Sequence, residues 1–204
     1  MTTPPYVPVE VPPRYPREFE RRLTLQDGRT VLIRPIVPAD AAQLAEAIRA
    51  ADPDTLRRRF LGGPPRVTPA LLEHLTTIDY VRRFALVALD PATGRGVAVG
   101  RYEPLSEGVA EIAVVVDPTW RRVGLATMLV ELLAEAALAR GIHEFSVFYL
   151  AENRPVAALL AHAAGAGKQM IRQGLADWVV ALDRGEVAAA PQPPDRPAPR
   201  PQDR

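Results

Sequence analysis

The run Val109-Ala110-Glu111-Ile112-Ala113-Val114-Val115-Val116 carries one charge, Glu111, and is otherwise aliphatic. It reads as a buried strand. The strand stops at Asp117-Pro118, and after Thr119-Trp120-Arg121-Arg122-Val123-Gly124 a long amphipathic helix runs to about Ala139, where Gly141 ends it. A strand, a tight turn and a helix start make an anion site. The first helical turn has backbone N–H groups without intrahelical partners, and the dipole is positive at that end. Gly124 and Ala126 carry almost no side chain, so an anion can come close to the backbone. Arg121 and Arg122 add fixed positive charge. The stretch reads as a diphosphate cradle. It is not a P-loop, which needs Lys-Ser/Thr after its last glycine, and it lacks the G-x-G-x-x-G of dinucleotide sites.

Composition narrows the classes. The chain has 204 residues and is 48% hydrophobic, enough for one domain with a real core plus extensions. A net charge of +1 gives no broad nucleic-acid footprint. With no cysteine there is no disulfide, thiolate metal site or cysteine nucleophile. The three histidines, His74, His143 and His162, show no metal-ligand spacing, so no metal is expected. No apolar run reaches spanning length and the start is proline-rich rather than signal-like, so a cytoplasmic protein is the default expectation.

Residues 1–20 and 185–204 are crowded with proline and read as disordered tails, either solvated or serving as docking ligands. Residues 21–184 read as one compact unit. Arg22–Leu25 and Val31–Pro35 flank Asp27-Gly28, a hairpin signal. Helices are expected after Pro38, after Asp52-Pro53, and after Thr68 with Pro69 at its first position and Leu71, Leu72 and Leu75 facing the core. Phe84–Leu89, Val97–Tyr102 and Val109–Val116 read as a meander with short turns. The long helix follows, then a strand over Glu144–Leu150, a helix after Asn153-Arg154-Pro155, and strands near Gln169–Arg172 and Ala176–Leu182.

Arg121-x-x-Gly124-x-Ala126 resembles the Q/R-x-x-G-x-G/A signature of the GNAT superfamily of acetyltransferases, and the element order is similar to theirs. The segments Asp27-Gly28 with Val31–Ile36, Ile78-Asp79-Tyr80, Ala110–Val116 and Glu152–Pro155 look like the catalytic domain of bacterial Pat-type protein lysine acetyltransferases. The resemblance implies an α+β fold: a mixed, mostly antiparallel sheet with helices on both faces and a splayed parallel strand pair. It also implies acetyl-CoA as acyl donor. Arg121, Arg122, Val123, Gly124, Leu125, Ala126 and Thr127 would hold its pyrophosphate, and the backbone of Val114, Val115 and Val116 would meet its pantetheine arm.

Acetyl transfer to an amine requires a proton acceptor and stabilisation of the thioester oxygen. Glu111 is the candidate base. A charge inside an apolar strand is costly and asks for a reason. It stands five residues before Val116, roughly 16 Å along a strand, a span comparable to a pantetheine arm. In Pat-type relatives the glutamate of this A-E-x-A segment is the base. A glutamate at the wet end of the strand is the other reading. Asn153 matches an asparagine that GNAT proteins place against the cofactor, and it also suits a helix cap. The tyrosine that often protonates the leaving thiolate in GNAT enzymes is replaced by Leu160; His162 and Tyr149 are nearby polar groups, and the general acid is unassigned. Arg57-Arg58-Arg59 reads as a solvated helix face or a dock for an acidic partner. Trp120 either shields the cofactor or packs. The expected function is N-acetyl transfer to a protein lysine. The alternatives are a small-amine acetyltransferase and a non-catalytic acyl-CoA sensor, and oligomeric state is open.

Overall fold

A computed structural model describes residues 10–61, 65–154, 156–157 and 168–182. The expected helix after Asn153 falls mostly outside these residues, as do Leu160, His162, residues 1–9 and all of 185–204.

The hairpin forms as its sequence demands. Strands β1 (Arg21–Thr24) and β2 (Thr30–Pro35) pair antiparallel. Gly28 turns between them at φ +84°, a conformation that glycine adopts without strain. Three helices follow: α1 (Ala41–Ala50), α2 (Pro53–Phe60) and α3 (Pro69–Thr76). Asp52 caps α2 by accepting from the Thr55 N–H, and Thr68 caps α3 by accepting from the Leu71 N–H. Leu75 of α3 is buried, whereas Leu71 and Leu72 are only half-buried. The meander consists of β3 (Phe84–Leu89), β4 (Gly96–Ser106) and β5 (Val109–Val116). Then come α4 (Leu125–Leu138), β6 (Glu144–Leu150), β7 (Lys168–Arg172) and β8 (Leu175–Ala181).

All eight strands join one sheet in the order β1-β2-β3-β4-β5-β6-β8-β7. Only β5 and β6 run parallel, as the crossover through α4 requires. Successive residues of a strand point to opposite faces, which locates the helices. A Cβ on Gly100 would meet Leu133 and Leu129 of α4, while its neighbour Arg101 donates to the Leu75 carbonyl of α3. The sheet therefore carries α4 on one face and α3 on the other. The main core lies on the α4 face, where Leu125, Leu129, Leu133, Ala136 and Ala137 pack against Phe84, Leu86, Ala98, Tyr102 and Ala110.

The N-terminal boundary differs from the expectation of a tail up to residue 20. Phe19 is 3% exposed and meets Phe84 edge-on, with ring centroids 5.0 Å apart. Tyr15 meets Tyr80 likewise at 5.8 Å. Arg140, in the turn after α4, spreads its guanidinium over both Phe19 and Phe84. Prolines deny this segment a ladder, but its aromatic rings still bury area, and that is what fastens it.

Candidate functional site

The register of β5 determines what each of its residues can do. The Asp117 N–H donates to the Val97 carbonyl, and the pairs Ala98–Val116, Val99–Val115 and Gly100–Val114 follow in register. Hydrogen-bonded and non-bonded pairs alternate along an antiparallel ladder. Val115 therefore exchanges its bonds with Val99, while the N–H and C=O groups of Val114 and Val116 point away from β4. On that side β6 would be the partner. It pairs with β5 only through Val109–Glu144, Ala110–Phe145 and Glu111–Ser146, then leaves and stays with β8 as far as Leu150. The strands thus splay beyond Glu111, and the edge groups of Val114 and Val116 face the opening. Of the three valines expected at the cofactor, Val114 and Val116 offer backbone groups and Val115 only its half-buried side chain.

At the wide end of the splay, Asp117 accepts from the Thr119 N–H and hydroxyl and so starts the short turn Pro118–Trp120. Burial alone would raise the Asp117 carboxyl; those bonds and the charges of Arg95 and Arg121 outweigh it and hold the carboxyl below its usual value. Arg122 at φ +62° and Gly124 at φ +87° then turn the chain into α4. No side chain caps α4 at Gly124, and the first bond within the helix is Met128 N–H to Gly124 carbonyl. The N–H groups of Leu125, Ala126 and Thr127 precede that bond, which is the geometry of an anion cradle. A Cβ on Gly124 would stand 3.3 Å from Gln26 Nε2 at the tip of the first hairpin. The same tip donates the Gln26 N–H to the Val123 carbonyl and lays Arg29 over the Trp120 ring at 4.0 Å. Trp120 is therefore a packed residue under an arginine. Val123 and Leu125 bury their side chains, so only their backbone serves the loop. A diphosphate fits this loop: free helical N–H groups, no side chain at Gly124, and arginine charge at Arg121 and the exposed Arg122.

Arg121 is more constrained than its sequence suggested. Its Nε donates to the Val116 carbonyl at 3.0 Å, and its Nη2 donates to the Thr55 hydroxyl of α2 at 2.7 Å. The far end of α2 is tied to the other side of the splay. Arg57 pairs with Glu152 at 2.6 Å, and Arg58 donates to the Asn153 side-chain oxygen at 3.4 Å. Helix α2 so bridges the opening, and the arginine run is neither a bare solvated face nor a free basic patch. Asn153 is buried, and its carbonyl accepts from the N–H groups of Val156 and Ala157. Its capping is done by backbone, which leaves the side chain to Arg58.

At the closed end, Glu111 is exposed and lies directly across from Glu103 on β4. Like charges directly opposite one another repel. Arginines offset this: Glu103 pairs with Arg101 at 3.3 Å and with Arg83 at 3.9 Å, and the His74 ring lies 3.3 Å from the same carboxylate. Burial lowers the Arg101 guanidinium to about 10, against the opposing pull of Glu103. Arg59 of α2 is likewise lowered by burial, with Glu111 and then Glu103 pulling it back up. Next to Glu111 on β6, Ser146 is buried and donates to Asp177 at 2.9 Å. Tyr149 lies inside, its hydroxyl accepting from Gln169 at 2.7 Å. The sequence reading had not assigned Thr55, Asp52, Glu103, Ser146 or Gln26 to the site. Thr55, Glu103, Ser146 and Gln26 reach it through pairings between separate segments that no local pattern marks, and Asp52, the cap of α2, reaches it through Thr55. Among the described residues no group of His, Asp and Glu converges to hold a metal, and no helix is long and apolar enough to cross a membrane.

Comparison with known proteins agrees with this architecture. "Acetyltransferase PA5475" of Pseudomonas aeruginosa is 36% identical over 134 residues, 64% of this chain and 72% of that protein. "Acetyltransferase Pat" of Mycolicibacterium smegmatis is 25% identical over 173 residues, 84% of this chain. The chain spans about half that relative's length, since the match takes in 51% of it. The crystal structure of the GNAT domain of S. lividans PAT superposes with a TM-score of 0.76 at 27% identity, covering 83% of this chain and all of that one. Residues 30–165 match the Acetyltransferase (GNAT) domain, and with the splayed pair and its helix-capping loop in place, the chain belongs to the GNAT acetyltransferase family.

Proposed function

We propose that this protein transfers the acetyl group of acetyl-CoA to a primary amine, with Glu111 as general base and a protein lysine as the acceptor. One observation carries the reading: β5 and β6 part at Glu111, so the one carboxylate of the strand stands where the opening begins and the anion cradle where it ends. An extended arm hydrogen-bonded to Val114 and Val116 would bring a thioester from the cradle toward Glu111. GNAT acetyltransferases use acetyl-CoA.

Each group has a task in this scheme. The uncapped N–H groups of Leu125, Ala126 and Thr127, with Arg121 and Arg122, bind the diphosphate. The Val114 and Val116 edges orient the arm as an added strand orients on a sheet. Glu111 takes a proton from the acceptor ammonium, directly or through one water, and the freed nitrogen attacks the thioester carbonyl. Backbone N–H groups of the open edge are the donors nearest to the developing oxyanion. Collapse breaks the C–S bond and expels the thiolate, and the proton still on the nitrogen passes to the thiolate or to water, so no dedicated acid is demanded. The lysine preference is supported by the Pat-type segments of the sequence.

The test is thiol release from acetyl-CoA with lysine peptides, cellular proteins and small amines in parallel. Glu111→Gln should lower kcat by about 10²- to 10⁴-fold, the range for a lost general base, while leaving acetyl-CoA affinity by calorimetry unchanged. Full turnover in that variant removes Glu111 as base. Release with small amines alone moves the acceptor to that class, and release with none favours an acyl-CoA sensor.

A further inference from the structure

Thr55 lies 66 residues before Arg121 in sequence, yet its hydroxyl accepts from Arg121 Nη2 at 2.7 Å. The same hydroxyl donates its proton to Asp52 Oδ2 at 2.5 Å, and Asp52 also accepts from the Thr55 N–H at 2.9 Å. The bonds form a chain of carboxylate, hydroxyl and guanidinium, in which each polarises the next. Thr55 is 8% exposed, and as a β-branched residue on a helix it has few rotamers. It is a rigid anchor for a long, flexible side chain. The second anchor is the Val116 carbonyl, which accepts from Arg121 Nε at 3.0 Å. A guanidinium has five N–H donors, and these two bonds use two of them. The remaining three belong to a cation held in place on the loop that leads into α4.

We propose that Thr55 is a positioning residue for the acyl donor: from α2 it holds the Arg121 guanidinium in place for the diphosphate. The inference rests on the reading of the Arg121–Ala126 loop as a diphosphate cradle. An unanchored arginine must be ordered when the ligand binds, at the cost of its rotamer freedom; an anchored one has been ordered by folding. The acidic partner makes no direct bond to the cation; the Thr55 hydroxyl stands between them. Its charge nonetheless favours the guanidinium, and the Thr55 bonds, then the Arg121 charge, keep the Asp52 carboxyl below its usual value.

The test is a double-mutant cycle on acetyl-CoA affinity, measured by calorimetry, with thermal melts of every variant. Thr55→Val keeps the shape and removes the hydroxyl; Thr55→Ser keeps the hydroxyl. Thr55→Val is expected to weaken acetyl-CoA binding about tenfold, the effect of losing one hydrogen bond to a charged group. Thr55→Ser should restore binding, and Thr55→Val should cost nothing more in an Arg121→Ala background. If Thr55→Val weakens binding equally with and without Arg121, the residue merely supports α2 and the proposal fails. It also fails if Thr55→Val lowers the melting temperature and leaves the affinity unchanged. An Arg121→Ala variant that binds acetyl-CoA as well as the wild type overturns the cradle reading itself. A loss in Arg121→Ala with none in Thr55→Val overturns only the role of Thr55.

Discussion

Gly124 shows how much one residue can decide. It combines a left-handed φ of +87° with a neighbour, Gln26, that leaves 3.3 Å for any added Cβ. Gly124→Asp should lose about 1–2 kcal/mol of stability to the backbone alone. Its carboxylate would also stand among the N–H groups proposed to hold the diphosphate, so acetyl-CoA binding should vanish in calorimetry at concentrations that saturate the wild type. Unchanged affinity would count against the cradle. The places of Gly124, Glu111, Val114 and Val116 were legible in the sequence because the signal is local: a charge breaking an apolar strand, a glycine opening a helix; that Val115 turns its backbone to β4 was not. Thr55 and Glu103 were not. Their significance comes from a partner 66 residues away and from a cross-strand neighbour, and periodicity carries no information on which strand lies opposite which. Asn153 was legible by analogy, but its pairing with Arg58 of α2 was not, for the same reason.

The elements divide the labour between a fixed wall and a bridge. Helix α4 is pressed so closely to β4 that a Cβ on Gly100 would come within 3.0 Å of Leu133 Cδ1 and 3.5 Å of Val114 Cγ2. Gly100→Ala should therefore overpack this contact and cost about 1–3 kcal/mol, read as a lower urea midpoint with an unchanged slope. Leu133→Ala in the same chain should cost less than the sum of the two single changes, because one vacated volume serves the other. The position of Val114 in this contact transmits the packing of α4 to the strand that lines the splay. Helix α2, by contrast, touches the site through polar side chains: Thr55 at one rim, Arg57 and Arg58 at the other, and Arg59 toward the carboxylates. The order of strands and helices followed from turn signals and caps, which are local. The splay did not, since nothing in the residues of β6 announces where it leaves β5.

For the molecule as a whole, the N-terminal wrap and the acidic turns set the conditions under which the fold persists. Residues 15–19 complete the core from outside the matched family region, through Phe19 and Tyr15. Asp79 and Asp117 each hold a turn by accepting backbone N–H groups: those of Val81 and Arg83 for Asp79, that of Thr119 for Asp117. Burial would raise both carboxyls, and the bonds outweigh it and lower them. A carboxyl lowered by folding binds fewer protons in the native than in the unfolded chain. Its stabilisation is complete above the unfolded value, about 3.9, and is lost as pH falls through the lower native value. Urea midpoints should accordingly be level near neutrality and fall below about pH 4. Asp117→Asn keeps an acceptor for Thr119 and removes the titration, so its midpoint should fall less steeply over that range. An identical slope in the variant would exclude Asp117 from the acid response.

The place of Arg121 on the open edge of β5 bears on self-association. A sheet that parts in its own middle exposes an internal edge, and an unpaired edge is an invitation to any passing extended chain. Here the invitation is conditional. The last carbonyl of that edge, on Val116, is already held by a guanidinium, so a peptide seeking to add itself meets a fixed positive charge at the point where its own next residue would lie. A molecule that extends like a strand but ends in phosphates meets the same charge as a complement. On the proposed reading, the side chain that closes this edge to a peptide is the one that meets the phosphates of the acyl donor.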